Sequence, residues 1–359
     1  MSDLTTIVTS RSTIVCAGSG GVGKTTTAAV LAMEAAKRGR NAVVVTIDPA
    51  KRLADTLGIE SLSNEPKRID GPWPGELWAM MLDTKSTFDG LVQTYSDDPE
   101  QAERILGNPF YKNISGALSG TQEYMAGEKL YELHMNPAYD LVVVDTPPTR
   151  NALDFLDASR RLTRFLDHRL YRMLMAPTRA YMKAVNIAAQ AFVRTVGKVV
   201  GGEVLDDALS FFQAFEGMEA GFRQRAAAVQ SLLTATETAY VLVASPRSDT
   251  VEEAAYFARK LQQTHLPVEA LIVNRMHPHF GAGRAEADRA RAETLAGTPL
   301  GALYANLADF RQMADEEEGE LAGLSEQVSP APVVRVPFLA DDVHDLSTLA
   351  EIGSHLFAS

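Results

Sequence analysis

An α/β fold is what this sequence predicts: a mostly parallel, doubly wound sheet with an inserted α-helical subdomain. Three observations predict it. A glycine-rich loop, Gly18-Ser19-Gly20-Gly21-Val22-Gly23-Lys24-Thr25, lies between an apolar run and an alanine-rich stretch. Further short β-branched runs, several ending at Asp or Asn, alternate with helical patterns. Between about residues 157 and 236 strand signals all but vanish and helical stripes take over.

Ser12 to Ala17 (STIVCA) reads as a short buried strand and Thr25 to Lys37 as a helix. The loop between them fits G-x-x-x-x-G-K-[ST]. Its glycines let the backbone curl, so that the N–H groups of Gly20, Gly21, Val22, Gly23, Lys24, Thr25 and Thr26 can face phosphate oxygens. The helix start adds partial positive charge. Lys24 is expected to reach the β- and γ-phosphates, and the Thr25 hydroxyl to ligate Mg²⁺. The expected sheet is therefore that of a P-loop NTPase.

Asn41 to Ile47 (NAVVVTI) suits a parallel strand buried on both faces, ending at Asp48-Pro49. Leu77 to Leu82 is a weaker strand, residues 84–136 are mostly helical, and Asp98-Pro99 marks a helix start. Tyr139 to Val144 is another buried strand, ending at Asp145. Carboxyl ends of parallel strands are where open sheets place ligands. Asp145 is thus expected to hold Mg²⁺ through a water, and Asp48 to lie beside the γ-phosphate and orient or deprotonate the attacking water. The alternative for each is a strand-end carboxylate capping the next helix.

The helical stretch carries two apolar stripes: Val185, Ala189, Phe192, Val196 and Val199, then Phe211, Phe215, Met218 and Phe222. Met173, Met175 and Met182 add flexible apolar surface, and Gly201-Gly202 marks a turn. The stripes either form a groove for a hydrophobic helix or bury each other. The sheet resumes with a strand over 238–244, a helix over 250–264 opened by a Thr250/Glu253 capping box, and a strand over 268–273. Helices follow over roughly 283–316, with Asp315 to Glu318 read as a solvated helix end. His277-Pro278-His279 reads as a loop rather than a metal site. The expected division is 1–156 and 237–359 for the nucleotide-binding core and 157–236 for the insertion.

The chain has 359 residues and a net charge of −12, which argues against nucleic acid as a partner. It has no run of 18 apolar residues, and MSDLTTIVTSRS lacks the pattern of a signal peptide. Cys16 is the only cysteine, so no internal disulfide or CxxC site is possible. A cytoplasmic location is expected, reaching the membrane only through a partner.

In combination, three segments resemble the arsenical-pump ATPases, a family that includes the ATPase carrying tail-anchored membrane proteins in the guided-entry pathway. Gly20 to Thr26 resembles the deviant Walker A loop. Thr46-Ile47-Asp48-Pro49-Ala50-Lys51-Arg52-Leu53 resembles switch I, usually T-D-P-A-H-N-L. Asp145-Thr146-Pro147-Pro148-Thr149 resembles switch II, usually D-T-A-P-T. The divergent loops are most similar to an actinobacterial branch of anion-transporting ATPases. The resemblance implies a dimeric ATPase that binds ATP and Mg²⁺, closing on ATP binding and opening on hydrolysis. By position, Asp48 activates water, and Asp145 lies near Mg²⁺. Asn274 reads adenine, while Pro337 and Phe338 pack beside the base. The helical insertion lies where the family binds clients, which implies an apolar helix or a membrane protein as partner.

Departures from the pattern are specific. The second position of the deviant loop, normally a lysine that crosses to the other subunit's nucleotide, is Ser19. Lys51-Arg52 and Arg150-Asn151 replace the usual His-Asn and Gly-His. Either Lys51, Arg52 or Arg150 supplies the missing charge within a homodimer, or a lysine-bearing paralogue does so in a heterodimer, or the chain is a weak ATPase that mainly binds nucleotide. The zinc-binding CxxC of the targeting ATPase and the arsenite-binding cysteines of the pump are absent, and only one P-loop occurs.

Overall fold

β-Branched runs buried on both faces build the sheet. The computed structural model describes residues 3–48, 50, 52–114, 121–147, 154–168, 202–339 and 342–357. Its strands are β1 (Thr13–Gly18), β2 (Asn41–Thr46), β3 (Lys67–Ile69), β4 (Glu76–Met81), β5 (Leu141–Asp145), β6 (Thr238–Ala244), β7 (Val268–Met276) and β8 (Val333–Pro337). They lie in the order β3-β4-β2-β5-β1-β6-β7-β8. All pairings are parallel except β3 with β4, an antiparallel edge. This is the expected α/β, mostly parallel sheet. β3, only three residues long with two of them exposed, carried no readable alternation.

One face of the sheet presents Ile14, Cys16, Val44, Val143, Val241 and Ile272 to a core shared with α1 (Leu4–Ser10), α2 (Lys24–Lys37) and the C-terminal helix, α14 (Leu346–Leu356). Alternate residues such as Val15, Val43, Val142 and Leu242 are buried as well, so both faces are covered. α2 is buried almost all round, and its alanines allow a close approach to the sheet. Cys16 is a fully buried core residue, and burial pushes its thiol pKa far up. α1 was not legible in the sequence. Asp3 caps it, accepting from Thr6 N at 2.7 Å, and Leu4, Ile7 and Val8 bury one short stripe.

Two expectations fail in the second half. α11 (Ser248–Gln263) begins before Thr250, so no Thr250/Glu253 box opens it. The Thr250 hydroxyl instead donates to Ser245 O at 2.7 Å and Arg247 O at 3.0 Å. After α12 (Ala285–Thr294), Asp315 to Glu318 does not end a helix: α13 (Pro299–Val328) runs through it. Neighbours offset the like charges. Glu317 accepts from His277 N at 2.8 Å, and Glu318 accepts two bonds from Arg335 at 2.6 and 2.8 Å.

The chain divides into two compact units, Met1–Met81, Leu133–Leu153 and Thr234–Ser359 in the first, Leu82–Glu132 and Asp154–Leu233 in the second. Residues 82–132 thus belong with the inserted stretch rather than with the unit that holds the sheet. The second unit contains α4 (Thr84–Tyr95), α5 (Pro99–Gly107), α6 (Pro109–Ile114), most of α7 (Thr121–Met135), α8 (Asp154–Asp167), α9 (Gly202–Ala214) and α10 (Glu219–Leu233). α3 (Arg52–Thr56) belongs to the first. The second unit's core is aromatic. Phe211 stacks on Tyr111 at 5.9 Å and meets Phe215 at 4.9 Å, and Phe222 packs on Tyr95 at 5.5 Å. The stripe of Phe211, Met218 and Phe222 is therefore core, not an open groove. The stripe from Val185 to Val199, Met173, Met175, Met182 and Gly201 lie outside the described residues. Among the described residues no helix is long and apolar enough to cross a membrane.

Candidate functional site

β1 ends at Gly18, α2 begins at Lys24, and the loop between them bends through glycines. Gly21 and Gly23 have φ of 77° and 96°, left-handed values that favour glycine. A Cβ on Gly23 would stand 2.3 Å from Asn274 Nδ2, and one on Gly18 would stand 2.0 Å from Val243 O. Backbone blocks a side chain at Gly18, so the loop fits against the end of β6 only with glycine there, while at Gly23 the left-handed φ favours glycine. Thr25 and Thr26 lie in the first turn of α2, where backbone N–H groups lack intrahelical acceptors.

The Lys24 ammonium folds back over this loop and donates to Ser19 O at 2.7 Å. Burial lowers its pKa, opposed by the charges of Asp145 and Asp48. Two hydroxyls, Thr25 Oγ1 and Thr46 Oγ1, donate to the same oxygen, Asp145 Oδ2, each at 2.8 Å. In the sequence Thr46 enters only as part of the switch I resemblance, with no role of its own. It stands beside Asp145 because β2 pairs with β5 in a register that places the two opposite each other. Burial raises the Asp145 pKa against those hydrogen bonds and against Lys24.

Asp145 Oδ1 and Ser19 Oγ are buried and have no hydrogen-bond partner among the described residues. A buried carboxylate oxygen without a donor, next to a threonine hydroxyl at a helix N-terminus, suits a hard divalent cation. The residues present therefore fit Mg²⁺. Asp48 follows β2. Its Oδ1 accepts from Ala50 N at 3.0 Å, and its Oδ2 lies 3.8 Å from the Arg52 guanidinium. Its charge acts on both Lys24 and Asp145, so these three predicted residues share one electrostatic site. Of the cations weighed as substitutes for the missing lysine, Arg52 is exposed and faces Asp48. Lys51 and Arg150 lie outside the described residues, as do Pro49, Pro148, Thr149 and Asn151.

At the end of β7, Asn274 Nδ2 donates to Val22 O at 3.0 Å, and Asn274 Oδ1 accepts from Arg275 N at 3.0 Å. Asn274 thus touches the glycine loop, a contact the sequence did not suggest. Pro337 lies in register with Met276, and Phe338 N donates to Met276 O at 2.8 Å. The Phe338 ring is 59% exposed and stacks on His277 at 6.0 Å between centroids, with 8° between the planes. The His277 ring also meets Glu317 Oε1 at 2.6 Å, and no cluster of three or more His, Cys, Asp or Glu side chains that could hold a metal ion occurs among the described residues.

A family model described as anion-transporting ATPase matches residues 11–293. ATPase GET3 of Malassezia globosa is 26% identical over 351 residues, which cover 96% of this chain and 90% of that protein. ATPase get3 of Aspergillus terreus is 24% identical over 347 residues, covering 96% of this chain and 89% of that protein. ATPase GET3 of Paracoccidioides lutzii is 23% identical over 341 residues, with 94% and 88% covered. The similarity to these ATPases runs through both units, and the family match spans the loop, both aspartates and Asn274. This chain belongs to the anion-transporting ATPase family.

Proposed function

We propose that this chain is a Mg²⁺-dependent ATPase, converting ATP and water to ADP and phosphate, and that its nucleotide state governs the binding of a partner. The observation that carries the reading is Asp145 Oδ1, buried without a donor beside Thr25 at the foot of a glycine loop. The N–H groups of residues 20–26 hold the phosphates. Lys24 Nζ exchanges Ser19 O, its present acceptor at 2.7 Å, for phosphate oxygens. Asp48 orients the attacking water, with Ala50 N fixing one carboxylate oxygen at 3.0 Å. Asn274, Pro337 and Phe338 receive the base. Mg²⁺, when bound, neutralises charge on the β- and γ-phosphate oxygens, and Thr25 and Asp145 are the residues that would hold it, with Asp48 as a further carboxylate nearby.

Phosphate release tests this. With Mg²⁺ and ATP the wild type should turn over, and Lys24→Ala and Asp48→Asn should each lose roughly 10²-fold or more. A wild-type rate no higher than that of Lys24→Ala would refute the reading.

We also propose a dimeric active unit, supported by the family relationship. Its second copy is either this chain or a paralogue bearing the lysine that Ser19 replaces. Native mass spectrometry with Mg²⁺ and a nonhydrolysable ATP analogue separates the two by mass. The partner acted on is an apolar helix or a membrane protein. The stripe of Phe211, Met218 and Phe222 is already buried, so it does not supply the client surface of this reading.

A further inference from the structure

β7 breaks its own regularity next to the phosphate loop. Its pairing with β8 loses register between Val273 and Met276. Arg275 has φ of 66°, a left-handed value that residues with a Cβ seldom adopt. In a regular strand consecutive side chains point to opposite faces. Here they do not. Asn274 Nδ2 donates to Val22 O at 3.0 Å, and Arg275 Nη1 donates to Gly21 O at 3.1 Å. Two consecutive side chains therefore reach two consecutive carbonyls of one loop, and the left-handed turn at Arg275 is what allows it.

The chemistry follows from the planar peptide. Gly21 C=O shares its peptide with Val22 N–H, and Val22 C=O shares its peptide with Gly23 N–H. In a trans peptide C=O and N–H point in opposite directions. Holding both carbonyls from the β7 side aims both N–H groups the other way. Arg275 also sets Asn274, because its backbone N donates to Asn274 Oδ1 at 3.0 Å. Asn274 Nδ2 sits close against Gly23, where an added Cβ would stand 2.3 Å away and displace it. The exposed guanidinium adds positive charge one peptide away from those N–H groups.

We infer that Arg275, together with Asn274, is a positioning residue that braces the phosphate-binding loop, holding the Val22 and Gly23 N–H groups toward the phosphates of a nucleoside di- or triphosphate. The inference rests on the ATPase reading for its ligand but not for the brace itself. Arg275→Gly tests it, since glycine accepts the left-handed backbone without strain and the fold is kept. Arg275→Lys retains the charge but loses the planar fork.

The first measurement is amide hydrogen exchange of nucleotide-free protein. In Arg275→Gly the amides of Val22 and Gly23 should exchange at least roughly tenfold faster, those of β6 should be unchanged, and Arg275→Lys should fall between. The second is binding of ADP and of adenosine. The glycine variant should lose about tenfold for ADP and almost nothing for adenosine, a split that general destabilisation would not produce. Unchanged exchange at Val22 and Gly23, or equal losses for ADP and adenosine, would overturn the brace. A wild type that binds neither ligand would defeat the ATPase reading, and the exchange data would still decide the brace.

Discussion

At the scale of single residues, Asp145 shows how a site can be built at the expense of stability. Its carboxylate is buried, burial raises its pKa, and one oxygen is left without a donor. The charged form is therefore disfavoured in the folded protein. Asp145→Asn should raise the Tm of nucleotide-free protein while removing the further rise given by Mg²⁺ and an ATP analogue. That analogue should stabilise the wild type by about 2.7 kcal/mol at a hundredfold excess over Kd. A variant less stable than wild type when free of nucleotide would contradict this account. Lys24, Thr25, Asp48 and Asp145, among the residues proposed for the site, are each named in the sequence by a motif or a strand end. Thr46 and Arg275 are given no role there. Thr46 matters only through the β2–β5 register, and Arg275 only through a backbone turn that no residue type announces.

At the scale of elements, local signals were reliable where one helix end or one strand carried its own reason. Asp98 accepts from Gln101 N at 2.7 Å with Pro99 following, as the pair suggested. They misled where a neighbour intervened. Thr250 has acceptors upstream in the chain, and the acidic run of α13 meets His277 and Arg335. α14 offers a test of capping. Asp345 accepts from Thr348 N at 2.8 Å, and these hydrogen bonds hold its pKa at about 2, below the ordinary 3.8. A lowered folded pKa means the cap's contribution is complete above pH 3.8 and lost as pH falls through 2. Asp345→Ala should lower Tm at neutral pH, and its difference from wild type should narrow across that window in thermal melts. In the second unit, Phe222 is only 5% exposed, so Phe222→Ala should cost about 3–5 kcal/mol in denaturant unfolding. A loss below about 1 kcal/mol would mean that the stripe is not the core it is drawn as here.

At the scale of the whole molecule, each unit has an apolar core of its own among the described residues. The first unit contains every described residue of the proposed nucleotide site. The second contains none of them. A nucleotide-driven switch therefore requires the second unit to respond to a ligand held by the first. Hydrogen exchange with and without an ATP analogue and Mg²⁺ reads this directly. Protection should rise around residues 18–26 and change as well within α9 and α10. Changes confined to the first unit would leave an ATPase with no switch.

The linear sequence determined the fold class, the glycine-rich loop and the two strand-end aspartates, because each is written in a contiguous run whose physics is local: β-branched strands, glycine turns, a helix start. Tertiary structure alone decided which strand neighbours which, and hence that Thr46 and Thr25 share one oxygen of Asp145. It decided that residues 82–132 join the helical unit and that its Phe stripe is buried. It also placed Asn274 and Arg275, more than 250 positions from the loop in sequence, on consecutive carbonyls of that loop. Such contacts depend on register, on burial by distant elements and on one left-handed residue, and none of these leaves a local trace in composition or period.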